Sequence, residues 1–505
     1  MRISPLGLLS IFTLLPAPPA QCLAIPVTDA AAFKTAMPKA LPGDTLLLKD
    51  GPWSNATLVL QGRGEPGKPI VISAEHAGMA VFGGDSRIEF AGDWITMAGM
   101  KFSGLKSTRE FIVFKDGSNH CRLTNSAIVN SDNVDQKWIH LDKGTFHRID
   151  HCRFSGMDQA EQMIQFETYP DLPGDHLVDD CLFSDRAAGN GNGFETIRIG
   201  YSHQQNNLAR VTFERNLFTR CNGENEIISN KATGNRFLRN TFRDNSGEMT
   251  CRHGDKAWIE GNFFLKQGRG IRLIGSDHVV INNYIAGMRT DGINIASGDG
   301  SGNGTSVTGY EAAHNAIIAF NTIVDCPLGI DYGSGYPVAA KNVTIANNAF
   351  LLPAGSVMKY SAKPDGMKYA GNIYEAKSAG VSDAGAGMAA KTLAMVKDAN
   401  GIYRPHAGSP LQGAAEGSWD QVVRDMDGRT RPVAKSVGAF EPGGTANARP
   451  LAETDVGPYW MGNVTPPDPD NPSDAISPRA ISSPRADRHS FRGADALGRV
   501  TRETR

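Results

Sequence analysis

Beyond its opening residues, the chain has no apolar run long enough to cross a membrane. It has no excess of either charge, its formal net charge being −2 over 505 residues. That balance excludes a broad basic field for nucleic acid, so an anionic partner has to be met by a local cluster of cations. His140, His147 and His151 do not make a zinc-binding pattern. Leucines at the spacing of a leucine-rich horseshoe are missing, and so is the longer, regular period of a propeller blade. Cysteine is sparse, at seven. Cys121, Cys152 and Cys181 read as one position of a repeat, where stacked side chains point in parallel and buried free thiols are expected, although an exported setting permits disulfides.

What is present begins with a leader. Residues 1–24 read as a secretory signal peptide, with Arg2, an apolar Leu6–Leu15 stretch and a small-residue end. Cleavage is expected after Ala24, with Ala20 as the alternative, and the product is expected to be secreted or periplasmic, without a transmembrane segment. Ala30 to Met37 reads as a short helix ended by Pro38, suited to cap the first coil of a solenoid. Pro42-Gly43-Asp44 then turns into a strand over Thr45–Leu48.

From about Ile70 to Tyr374 a triplet recurs: Cys or Asn, any residue, then a large apolar residue. It appears as CRL at Cys121, CRF at Cys152, CLF at Cys181, NLF at Asn216, NTF at Asn240, NFF at Asn262, NYI at Asn283, NTI at Asn321, NAF at Asn348 and NIY at Asn372. The spacing suits coils of short strands and turns. The apolar residue fills the interior, and successive Asn form a ladder that bonds otherwise unpaired turn backbone. Ser297–Gly309 is a glycine-rich loop between coils. The repeat pattern ends after Val437. The solenoid unit is expected over 25–440, followed by an extension over 441–505 that is disordered from about 466, where Pro, Asp, Ser and Arg dominate.

The chemistry concentrates in Asn222–Gly254. Glu224 and Glu226 are separated by one residue, which on a strand puts both carboxylates on one face. They repel unless a cation lies between them, and a hard cation such as calcium prefers oxygen ligands of this kind. Lys231 follows within the same stretch, and Arg252 and His253 come later. A lysine beside a metal and an arginine has its charged form disfavoured. Flanking motifs are NGFETIRIG over Asn192–Gly200, CRHG over Cys251–Gly254 and GIRLIG over Gly270–Gly275.

Together with the PGDTLLLKDGPW run at Pro42–Trp53, these motifs resemble polysaccharide lyases of family six, the alginate lyase and chondroitinase B type, over about residues 25 to 440. The resemblance implies an all-β chain forming a single-domain right-handed parallel β-helix. It implies calcium held by Asn192, Glu224 and Glu226, Lys231 as base and Arg252 as acid. The implied substrate is an anionic polysaccharide cleaved by β-elimination to a 4,5-unsaturated uronate end. The NGENEIISNK wording is closer to the alginate branch, with dermatan or chondroitin sulfate second. Arg198 and Arg272 are candidates to grip substrate carboxylates, and His253 and Tyr310 to contact sugar. Glu195 lies in a motif beside the metal set, without an assigned role. Ala232 departs from relatives that carry a small hydroxyl residue after the lysine.

Two further classes compete. A β-helix glycoside hydrolase needs two carboxylates split into acid and base, which the metal-like pair beside Lys231 argues against. A non-catalytic carbohydrate-binding solenoid needs neither Lys231 nor Arg252. Both a monomer and a homodimer are compatible with the sequence.

Overall fold

The computed structural model describes residues 22–131, 136–300, 309–333, 336–362 and 364–462. Short parallel strands follow one another around three faces, forming a right-handed parallel β-helix. The first face stacks fourteen strands, from Ala24–Val27 to Lys368–Ala370. The second runs from Gly51–Ser54 to Met388–Ala390, and the third starts at Thr57–Leu60. These two are joined at Ala349–Tyr360, which continues around the corner and pairs with strands of both. The stack therefore begins well before Ile70, the start expected from the triplets.

The interior follows from the triplets. Phe154, Phe183, Phe218, Phe242 and Phe264 are buried and stack in a column, with ring centroids 5.1, 4.7, 4.7 and 4.9 Å apart. This matches the separation of adjacent strands, so backbone pairing and ring stacking share one spacing. The expected Asn ladder is present, from Asn216 through Asn240, Asn262, Asn283, Asn321 and Asn348 to Asn372. Each backbone N–H donates to the next Oδ1 at 2.8–3.1 Å. Each Nδ2 also donates to a carbonyl of the preceding coil, as Asn262 does to Phe237 at 2.8 Å. Tyr374, the apolar member of the last triplet, is only half-buried, because the stack is ending there.

All seven cysteines are free thiols, and six are buried. One expectation is corrected: Cys121 does not share the register of Cys152 and Cys181. It precedes the first-face strand Arg122–Thr124, one corner earlier, where its column continues to His147 and His176. Its backbone N–H donates to His147 Nδ1 and that of His147 to His176 Nδ1, each at 3.2 Å. The neighbour of Cys152 in its own column is Ser126. Each corner needs a compact side chain that accepts a buried N–H, and Cys, Ser, Asn and His all serve, so the residue type does not tell which corner it occupies.

The helix Ala30–Ala36 caps the N-terminal end, with Asp29 accepting from the Ala32 N–H at 2.8 Å and Phe33 buried against the first coils. Leu23 already pairs: its N–H donates to Asp44 Oδ1 and its carbonyl accepts from Thr45. A chain beginning at residue 25 would lack both bonds. Most of the leader and the tail from about 466 lie outside the described residues.

Residues 441–462 lie along the solenoid. After Phe440 packs on Tyr284, the chain runs back over the outer side of the second face. Leu451 and Val456 cover Leu182 and Leu217, Gly457 donates to the Asp180 carbonyl, and Trp460 Nε1 donates to the Asn125 carbonyl at 2.8 Å.

Candidate active site

The third face carries the chemistry. In its pairing register Gln165, Arg198, Ser229, Thr250, Arg272 and Asn294 lie opposite one another in successive coils. Arg198 and Arg272 therefore stand on one row, three strands apart, about 14 Å.

The acidic pair is not built as strand alternation would have it. The strand Glu226–Asn230 starts at the second glutamate, and Glu224 lies in the bend before it. The pairing shifts between Glu226 and Ile228, a bulge that leaves Ile227 and Ile228 both buried. Carboxylate oxygens of Glu224, Glu226 and Glu195 nevertheless lie within 4.8 Å of one another. One oxygen of each is tied down. Glu224 Oε2 accepts from the N–H of Gly193 and of Phe194 at 2.9 and 3.1 Å. Glu226 Oε2 accepts from the Ser229 hydroxyl, and Glu195 Oε2 from Gln162 Nε2 at 2.9 Å. Glu226 Oε1 faces Arg252 Nε at 3.5 Å, and Glu195 Oε1 faces Lys231 Nζ at 3.7 Å.

Burial and the neighbouring Glu195 carboxylate push Glu224 up to about 7, with only partial relief from the two backbone N–H groups. Burial also raises Glu226, against the opposing pull of Ser229, Lys231 and Arg252. Three carboxylates beside two cations are short of positive charge. An oxygen-lined, partly tethered acidic group of this kind fits a hard divalent cation.

Asn192 is exposed and sits immediately before the turn whose N–H groups hold Glu224. The buried residue that joins Glu224 and Glu226 is Glu195, 1% exposed. No spacing in the chain points from residue 195 to residues 224–231, which lie one coil away.

Arg252 follows the strand Glu248–Cys251 and is held from several sides. It donates to His253 Nε2 at 3.0 Å, and its guanidinium lies 4.0 Å from the Tyr310 ring centroid, with Arg272 at 5.2 Å from the same ring. Tyr310 stacks in turn on Tyr336. His253 is 1% exposed, so it backs Arg252 rather than lining the surface as expected of a sugar contact. Burial, Arg252 and Lys231 lower its pKa to about 3, so it is a neutral acceptor. Arg198 bonds Gln165 and the Tyr201 hydroxyl, the latter at 3.1 Å. Glu248, opposite Glu226 in the register, lies 4.0 Å from Arg272 and accepts from Arg269 at 2.8 Å. Glu248 and Gln162 were not legible as site residues, because each acts through a partner on another coil, and Tyr201 because it acts through Arg198, three residues earlier.

The sequence profile of a family described as Chondroitinase B matches residues 27–407. Among solved structures, the chain is similar to the alginate lyase AlyGC of polysaccharide lyase family 6. Identity is 25% over 88% of this chain and 60% of that one, with a TM-score of 0.74. The chain thus spans about 60% of the length of AlyGC. A mannuronic acid specific family 6 lyase from human gut microbiota is 30% identical, over 70% of this chain and 86% of that one, with a TM-score of 0.62. A family 6 polysaccharide lyase from Pseudopedobacter saltans, 22% identical over 86% and 99% of the two chains, shares the fold with a TM-score of 0.63. No curated protein matches the chain.

Proposed function

The chain belongs to the chondroitinase B family of polysaccharide lyases, within family 6, and from that premise we propose that it cleaves a uronic acid polymer, alginate first, by calcium-assisted β-elimination. The observation that carries the reading is the grouping on one face of Glu195, Glu224 and Glu226 with Lys231 and Arg252.

In this reading Asn192, Glu224 and Glu226 hold the calcium ion. When bound, the ion supplies positive charge beside the substrate's C6 carboxylate, which makes the C5 proton more acidic. With all side chains ionised, the three glutamates, Lys231 and Arg252 sum to one negative charge. A divalent cation turns this into one positive charge, matched to a single uronate carboxylate. Lys231, once it has released its own proton to solvent, takes the C5 proton as the neutral amine, and its side chain, 14% exposed, stands at the edge of the face where it meets substrate. Arg252, fixed by Glu226, His253 and Tyr310, stabilises charge on the departing C4 oxygen. An arginine does not readily give up a proton, so its contribution is electrostatic and the proton comes from water. Arg198 and Arg272 hold carboxylates of neighbouring sugar residues, and Tyr310 contacts sugar at the edge of the same row.

Alginate is placed first because AlyGC is an alginate lyase and the gut enzyme is mannuronic acid specific. The domain is proposed to span 25–440 and to act after export across a membrane. Ultraviolet absorbance during incubation with alginate, with and without a chelator, tests the proposal. A rise from the new C4–C5 double bond that the chelator abolishes is the expected result. A rise on dermatan sulfate alone moves the substrate, and no rise on any uronate polymer overturns the lyase reading.

A further inference from the structure

Lys231 and Glu195 sit at opposite ends of a pair of neighbouring strands. Ile197 pairs with Ile228 and Ile199 with Asn230, so Lys231 is level with Gly200, five positions beyond Glu195. Yet Lys231 Nζ and Glu195 Oε1 are 3.7 Å apart. The two side chains lean toward each other along the face, and the lysine head is drawn back toward Glu226 and Glu224. A lysine on its flexible four-carbon stem does not hold such a pose by itself. Glu195 is well suited to impose it. It is buried, and its other oxygen is fixed by Nε2 of Gln162, which is itself fully buried.

We propose that Glu195 is the positioning residue for Lys231, holding its side-chain nitrogen where the proton-abstracting group of the reaction has to stand. The kinetic part of this inference rests on the lyase reading above, whereas the placement of the lysine does not. Two other assignments of Glu195 give different behaviour. A third cation ligand would change calcium affinity, and a purely structural residue would change stability alone.

The test compares full-length wild type with Glu195→Gln and Glu195→Asp. Expected for E195Q is a fall in kcat of about 10- to 100-fold, the scale of a misplaced catalytic group, with KM changed less than about twofold. Loss of a carboxylate charge beside the cation lowers calcium affinity in E195Q, whereas E195D, which keeps that charge, is expected to hold the affinity within about threefold of wild type by titration calorimetry. E195D, which keeps the charge but shortens the reach, is expected to fall between wild type and E195Q. Independently of turnover, the rate at which an amine-reactive acylating reagent labels Lys231, read by peptide mass spectrometry, is expected to rise several-fold in E195Q. If E195Q does not fold, Gln162→Leu, which frees Glu195 Oε2 and leaves its charge, must show the same kinetic split and faster labelling. Unchanged kcat and labelling overturn the proposal, and so does a loss of calcium affinity of about tenfold in E195D, which would make Glu195 a ligand. If wild type cleaves no uronate polymer but labelling still rises in the variant, the lyase reading falls and the placement of Lys231 stands.

Discussion

Glu224 shows what one residue contributes and what it costs. Its carboxylate is half-buried next to two others, and only two backbone N–H groups and more distant cations oppose the crowding. Without a bound cation, ionising it works against the fold. Glu224→Gln is therefore expected to melt higher than wild type at pH 8 in chelator. In calcium the order reverses, because the variant has lost a carboxylate proposed to hold the ion. Differential scanning fluorimetry with and without calcium decides it, and a variant that gains as much from calcium as wild type sinks the ligand assignment. Arg252 illustrates the opposite case, a charge held by a carboxylate, a neutral imidazole and an aromatic face. Its position and that of Lys231 were legible from motif order alone. Glu195 as the carboxylate partner of Lys231 and His253 as the backing of Arg252 were not read in those roles, since those roles depend on burial and on which coil lies next door.

At the scale of elements, the corners hold the coils in register. Asn262 accepts from the Asn240 backbone N–H and donates to the Phe237 carbonyl, all within the buried interior. Asn262→Leu strands both partners, each worth about 1–3 kcal/mol when left unpaired, so a loss of about 2–6 kcal/mol is expected in urea unfolding. At the neighbouring corner, burial holds His176 down to about 3 and His147 well below its ordinary range. The unfolded chain binds a proton at each near 6.5, while the folded chain does not. Stability is thus level above that pH and falls as pH drops below it. At pH 5 one such imidazole costs about 2 kcal/mol. Asn235 occupies the same column and accepts the Val211 N–H at 2.8 Å, which makes Asn a fitting replacement. His176→Asn is expected to recover about 2 kcal/mol of the wild-type loss between pH 7 and pH 5, measured as the change in unfolding free energy. An unaltered acid profile would show that the imidazole is not the source. The triplets announced the corner that runs from Cys152 to Asn372, misassigned Cys121, whose residue type fits either corner, and left the corner of His147 and His176 unmarked.

For the whole molecule, the returning segment ties together coils that are far apart in the chain. The Leu451 N–H bonds Thr241 Oγ1, Glu453 pairs with Arg220, and the Tyr459 N–H bonds Asn125 Oδ1. Truncation after residue 462 is expected to leave the melting temperature unchanged. Truncation after residue 447 uncovers Leu182 and Leu217 and is expected to lower it by several degrees, since burial of each such leucine contributes about 1.5–3 kcal/mol. Equal melting of the two truncated chains would mean the strap adds nothing. The segment escaped the sequence reading because it has no period. Its few apolar residues pack singly onto coils more than two hundred residues upstream.

By itself the sequence determined the solenoid, its interior and the order of its reactive motifs. Those properties are local: a triplet places a compact acceptor at a corner and a large ring inside, and each coil repeats the instruction to its neighbour. Tertiary structure alone decided which groups converge. Glu195, Glu224, Glu226, Lys231 and Arg252 come from three successive coils, and their meeting depends on the stacking register and on one bulge after Glu226. Register is a property of the stack rather than of any single strand. The same motifs slid by one residue would face the opposite side of the sheet, and no site would form.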